Sequence, residues 1–144
     1  MKEQNYANHH RYVPMYHFVL SGLIIATIIG SLVNLFSSLG NHDRVYSASL
    51  IVVLSIVAIL LYWYSRQFAL RAQDRAIRAE ENFRHYILTG KPLDSRLTLR
   101  QIVGLRFASD EEFPELARRA VAETMPEDNI KRAVKHWRAD HHRA

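Results

Sequence analysis

Apolar residues run from 16 to 36 and again from 45 to 65, with no charge inside either run except His17 at the edge of the first. Each run is about 20 residues, the length a helix needs to cross a bilayer. The pattern changes at Arg66, after which Arg71, Arg75 and Arg78 enter a helix-compatible sequence. Neither Gly nor Pro interrupts residues 45–88, and Thr89-Gly90-Lys91-Pro92 then supplies a stop. Gly suits a left-handed cap and Pro cannot continue a helix. The second apolar run is therefore expected to continue as one unbroken helix, about 66 Å long at 1.5 Å per residue.

Beyond Pro92 the apolar spacing becomes that of short amphipathic helices. Thr98 with Gln101, Ser109 with Glu112 and Thr124 with Glu127 each match a capping box. Three stripes follow: Leu99, Ile102, Val103 and Phe107; Phe113, Leu116, Ala117, Ala120, Val121 and Thr124; and Ile130, Ala133, Val134 and Trp137. The expected fold is all-α. It is a two-helix transmembrane hairpin whose second helix extends into the cytoplasm, followed by a small three-helix module. Its segments are a polar tail at 1–15, the hairpin at 16–65, a juxtamembrane helix at 66–90 and the module at 91–144. A module of about 50 residues has a marginal core by itself. The long helix, a second copy or a partner should complete it, with Phe83, Tyr86, Ile87 and Leu88 as the expected contacts.

Small residues mark two faces. Gly22, Ala26, Gly30 and Asn34 recur every four residues in the first span. That spacing lets helix backbones approach closely, and the other span is the first partner to expect. Along the second helix, a 3,4 alternation runs through Ala48, Ile51, Ser55, Ala58, Tyr62 and Ser65. It continues through Ala69, Ala72, Ala76, Ala79, Phe83 and Tyr86. It predicts either a close helix partner or a helix lying under the module.

The first apolar run follows a tail of about 15 residues and exceeds the 7–15 of a signal-peptide core, so it reads as an uncleaved anchor. The formal net charge is +5, and residues 66–144 hold 16 Lys/Arg against 12 Asp/Glu. The tail carries Lys2 and Arg11, whereas the connection between the spans carries Arg44 offset by Asp43. Basic flanks stay cytoplasmic, so both termini should lie inside and residues 38–42 outside. Tyr12, Tyr16, Tyr46, Tyr62, Trp63 and Tyr64 stand near the span ends, where interfacial aromatics belong. Arg66, Arg71 and Arg75 are placed to meet lipid phosphates. Intrahelical pairs of Asp74 with Arg71 and Arg78, and of Glu80 with Arg84, would solvate the same stretch.

Candidate chemistry is sparse. The chain has no cysteine, hence neither a disulfide framework nor thiolate chemistry. No ionisable residue lies at mid-span, where a proton or ion path needs one. His136, Asp140, His141 and His142 gather at the terminus without the ordered shell of a metal site, and no metal or other cofactor is expected. The acidic run Asp110, Glu111 and Glu112 suits a helix N-terminus. Lys131, Arg132, Lys135, Arg138 and Arg143 could mimic a DNA-reading helix. Glu127 and Asp128 open that helix, however, and the membrane tether argues against nucleic acid. Gly104 is expected to be a packing site. No catalytic residue is nominated.

Several segments together resemble a family of uncharacterised small bacterial membrane proteins with two predicted spans. They are Asn5-Tyr6-Ala7-Asn8-His9, Tyr46-Ser47-Ala48-Ser49-Leu50 and Ala72-Gln73-Asp74-Arg75-Ala76-Ile77-Arg78-Ala79-Glu80-Glu81-Asn82. Thr89-Gly90-Lys91-Pro92-Leu93 and Gly104-Leu105-Arg106-Phe107-Ala108-Ser109-Asp110-Glu111-Glu112-Phe113-Pro114 extend the match. The resemblance covers nearly the whole chain and implies no activity. Some members carry the label transporter permease, but two spans are too few for a multi-helix permease. The expectation is a non-enzymatic protein of the bacterial inner membrane, bound to lipids and either self-associated or a subunit of a larger membrane complex. The alternative is a tethered cytoplasmic sensor that binds a nucleotide or other anion through Arg96, Arg100 and Arg106.

Overall fold

The computed structural model describes residues 4–8 and 12–140, and all regular elements among them are helical. Two compact units, Arg11–Phe68 and Ala69–Ala144 with Met1–His10, are described in turn.

In the first unit a π-helical segment, Met15–Leu20, leads into α1, Ser21–Ser38. Helix α2, His42–Thr89, begins after a short turn in which Asn41 Oδ1 accepts the Asp43 N–H at 3.1 Å. The buried positions of this unit are small: Ser31 and Ser38 on α1, Ala48 and Ser55 on α2. Ser21, Ile24, Ile28 and Leu35 extend the α1 set at 3,4 spacing and are half-buried. The serine hydroxyls need no partner from another helix, because Ser31 donates to the Ile28 carbonyl and Ser55 to the Ile51 carbonyl, both at 2.8 Å. Gly22, Ala26, Gly30 and Asn34 lie instead on an open face. A Cβ built at Gly22 or Gly30 meets nothing within 4 Å. The small-residue stripe is therefore open among the described residues. Serine and alanine fill the fully buried positions, with Ile24, Ile28 and Leu35 half-buried between them.

The two helices are clasped at one end. The Tyr16 and Tyr62 rings stack with centroids 4.5 Å apart. Tyr16 Oη donates to the Tyr62 carbonyl and Tyr62 Oη meets Ser21 Oγ, both at 2.7 Å. Two aromatics expected as separate belt residues thus hold each other.

Helix α2 reaches Thr89 without interruption, as its sequence predicts. The Gly90 N–H still meets the Tyr86 carbonyl at 2.8 Å, and the Gly90 φ of 72° then turns the chain out of the helix.

The second unit holds α3, Leu99–Leu105, α4, Phe113–Ala122, and α5, Glu127–Ala133. Its core joins Ile102, Leu105, Phe107, Phe113, Leu116, Ile130 and Val134 with Ile77 from α2. The first capping box forms in full: Thr98 accepts the Gln101 N–H, and Gln101 accepts the Thr98 N–H. The Gln101 side chain is buried and donates to the Ala120 and Met125 carbonyls at 3.1 and 3.0 Å, tying α3 to the end of α4. Gly104 is a packing site: a Cβ there would stand 3.1 Å from the Glu127 carbonyl oxygen and 3.3 Å from Ile130 Cγ2.

Three expectations fail in this unit. Thr124 has φ 47° and α5 is capped by Pro126 without a side-chain bond, so the third capping box does not form. Proline leaves no N–H to satisfy at that end, and its fixed φ suits the entry. The last stripe is not one helix, since α5 ends at Ala133 and Trp137 lies in an isolated antiparallel bridge with Ala108. Nor do Phe83, Tyr86, Ile87 and Leu88 pack against the module's core, being 64%, 53%, 66% and 39% exposed. The seat is the opposite face of α2, where Ile77 and Glu81 are 6% and 5% exposed. Charged groups made that face look solvent-directed, yet they are paired.

Candidate functional site

The module rests on α2 through a cluster of charges around Arg84. This guanidinium lies 4.5 Å over the Phe113 ring. It donates to Glu81 at 2.9 Å, to Asp110 at 2.7 Å and to the Ala108 carbonyl at 2.7 Å. Arg138 approaches Glu81 from the C-terminal segment at 3.5 Å. Burial pushes the Glu81 carboxyl above its ordinary range, while the hydrogen bond and charge of Arg84 and the charge of Arg138 pull it down. Sequence spacing pairs Arg84 with Glu80. The structure turns it to Glu81, buried against the module, and to Asp110 of the module itself, while Glu80 is exposed.

Glu112 pins the chain end. Its carboxylate accepts backbone N–H groups from Ser109 at 3.3 Å, Lys135 at 3.1 Å and His136 at 3.1 Å. The second capping box survives only as the Ser109 bond, and α4 begins later, at Phe113. Beside it, the Arg138 N–H donates to the Phe107 carbonyl at 2.8 Å.

The N-terminal segment docks on α5, a contact that no periodicity signals. Asn5 Oδ1 accepts the Ala7 N–H at 2.9 Å and Asn8 Oδ1 accepts the Asn5 N–H at 2.7 Å, closing a turn. The turn presents Tyr6, whose hydroxyl donates to Asp128 at 2.6 Å and accepts from Arg132 at 2.9 Å. The Arg132 guanidinium lies 4.8 Å from the Tyr6 ring centroid. The Tyr6 hydroxyl first, then Arg132, hold the Asp128 carboxyl below its ordinary value. Gln4 Oε1 accepts the Asp140 N–H at 2.8 Å. The Asn-x-x-Asn spacing was the available signal for this turn.

Of the arginines of the anion-sensor alternative, Arg96 and Arg100 border one groove together with Glu127, and Arg106 does not. Arg96 pairs with Asp94 at 2.7 Å, Arg100 with Glu127 at 3.5 Å and Arg106 with Asp140 at 3.3 Å. The Asp94 carboxyl is held down at about 2 by the side-chain and backbone hydrogen bonds of Arg96. A groove of about 770 Å³ runs beside them, lined by His85, Lys91, Arg96 and Arg118 as well as Asp94, Glu111 and Glu115. Its mixed signs favour no one ligand charge. Three of the DNA-like cations are also engaged, Lys131 with Glu127 at 2.6 Å, Arg132 with Asp128 at 2.9 Å and Arg138 with Glu81, whereas the Lys135 side chain is exposed. Arg143, His141 and His142 lie outside the described residues. Among the described residues no three His, Cys, Asp or Glu side chains gather as a metal site.

The remaining sequence-predicted residues are open. Ala69, Ala72, Ala76 and Ala79 are exposed, as are Arg71 and Arg75. Arg66 is half-buried, its guanidinium 5.7 Å from the Tyr16 ring centroid.

These features define a helical protein carrying two helices, Met15–Ser38 and His42–Thr89, long and apolar enough to cross a membrane. The chain belongs to a family described as "Family of unknown function (DUF6526)", matched over residues 1–144. Neither a curated protein nor a solved structure matches it.

Proposed function

We propose that this is a non-enzymatic interaction protein of the bacterial inner membrane, acting as a homo-oligomer or as a subunit of a larger membrane complex. Both apolar helices cross the bilayer as a hairpin, and the module is displayed in the cytoplasm on the continuation of α2. The observation that carries this is the exposure of the apolar runs. Leu23, Ile25, Ile29, Val33, Leu54, Leu61 and Trp63 are all more than half exposed. A water-soluble monomer does not present apolar surface along two whole helices, whereas lipid requires it. The paired serines and Ala48 supply a polar-satisfied inner seam, as spans do.

The docking of Tyr6 on Asp128 supports termini on one side of the membrane, because a segment across the bilayer could not reach. The basic excess after residue 65 supports the cytoplasm as that side. The tying of Arg96, Arg100 and Arg106 to three separate carboxylates favours an interaction module over an anion sensor. A reporter active only outside the cytoplasm tests the topology. Fused at either terminus it stays silent, and inserted between Gly40 and Asn41 it becomes active. Activity at the C-terminus would overturn the reading.

A further inference from the structure

The face of α2 opposite the module is apolar and uncovered. Ala72, Ala76, Ala79, Phe83 and Tyr86 follow one another at 4,3,4,3 spacing and are exposed. That is the seam of a left-handed helix pair, with Ala76 and Phe83 at a positions and Ala72, Ala79 and Tyr86 at d positions. The module sits on Ile77, Glu81 and Arg84, roughly half a turn away, and leaves the seam open. Phe83 and Tyr86, at 64% and 53% exposed, are large aromatic groups outside the apolar run of α2, and the topology proposed above leaves them in water.

The charges beside the seam select the occupant. In this register Arg75 is a g position and Glu80 an e position. In a parallel, in-register pair, g of one helix faces e of the other five residues on, so Arg75 meets Glu80 of a second copy, twice per dimer. Both side chains are exposed, and neither takes an ion pair among the described residues. Glu80 loses its nearest intrahelical cation because Arg84 turns to Glu81 and Asp110. The other g position, Asn82, is neutral and accepts the Leu93 N–H at 2.9 Å, so it adds no repulsion. Alanines at three of five seam positions allow the helices to approach at the short end of the usual 8–10 Å range. Two copies anchored in one membrane with the same topology present these helices in parallel, which is the orientation the charge pairing requires.

We propose that α2 pairs with α2 of a second copy of this chain, parallel and in register, through Ala72, Ala76, Ala79, Phe83 and Tyr86, with Arg75 and Glu80 setting the register. This rests on the membrane topology proposed above and names the partner that the reading leaves open.

The chain has no cysteine, so each introduced thiol is unique. In full-length protein reconstituted in lipid vesicles, oxidation should cross-link Ala72→Cys and Ala79→Cys far more than Arg78→Cys, which lies off the seam. Cross-linking of Ala79→Cys is then read with the charges changed. Arg75→Glu or Glu80→Arg alone should cut dimer yield roughly three- to tenfold, the scale of exposed ion pairs replaced by like charges. The double exchange Arg75→Glu with Glu80→Arg should restore it. Cross-linking confined to Gly30→Cys, equal yields at Ala79→Cys and Arg78→Cys, or no rescue by the exchange would each overturn the proposal. The topology reporter is unaffected by these outcomes, so loss of the pairing and loss of the two-span reading are told apart.

Discussion

Gln101 shows how one side chain fixes the module. Its amide oxygen accepts from Thr98 N–H at 2.9 Å, and its nitrogen donates to two carbonyls at the end of α4. Removing it leaves those buried groups unpaired, at about 1–3 kcal/mol for each such group. Gln101→Ala should therefore lower the module's stability by about 2–4 kcal/mol in denaturant melts, whereas Arg100→Ala, on an exposed ion pair, should change it by less than about 1 kcal/mol. Tyr6 gives a pH signature. The folded-state pKa of Asp128 is lowered, so its contribution is present above the unfolded value near 3.8 and is lost as pH falls below it. Protection of the Ala7 and Asn8 amides, measured as exchange relative to the random-coil rate at the same pH, should be higher at neutral pH than in acid. Tyr6→Phe should abolish that difference. Much at this scale was legible. Thr98, Gln101 and Gly104 act as their spacing implies, since caps and close approaches are local. Tyr6, Glu112 and Arg84 were not legible in role, because their partners lie 122, 23 and 26 residues away.

At the scale of elements, the long helices and the stop at Gly90 follow the pattern of the sequence, while the start of α4, the end of α5 and the faces the helices turn to one another do not. Continuity of α2 from His42 to Thr89 needed only the absence of Gly and Pro. Choosing its seat needed the partner. Alanines at 69, 72, 76 and 79 and aromatics at 83 and 86 looked like the buried stripe. The module took Ile77 instead, because Glu81 and Arg84 could bury their charges against Asp110, Arg138 and the Phe113 ring. Ile77→Ala should lower module stability by about 2–4 kcal/mol in a chemical melt of the full chain. Phe83→Ala, on the open face, should leave that transition in place and reduce dimer cross-linking. A fragment of residues 93–144 lacks Ile77, Glu81 and Arg84, and should melt at lower temperature and less cooperatively by circular dichroism than one of residues 69–144. Equal melts would show that the seat contributes nothing.

For the whole molecule, the account divides the chain into surface that belongs in lipid and surface that belongs in water. The apolar runs announced that division by length alone, and the exposure of their large side chains agrees with it. The docking of residues 4–8 on the module, through Tyr6 on Asp128, adds a contact that composition does not contain, and the topology proposed above reads it as both termini on one side. Single-cysteine accessibility measures this most directly. In inner-membrane vesicles of defined orientation, a membrane-impermeant thiol reagent is applied to Ala7→Cys, Ser95→Cys and Gly40→Cys. The account predicts that Ala7→Cys and Ser95→Cys react together in inside-out vesicles, and that Gly40→Cys reacts only in right-side-out vesicles. Reaction of Gly40→Cys on the same side as Ser95→Cys, or of Ala7→Cys on the opposite side from it, would contradict it.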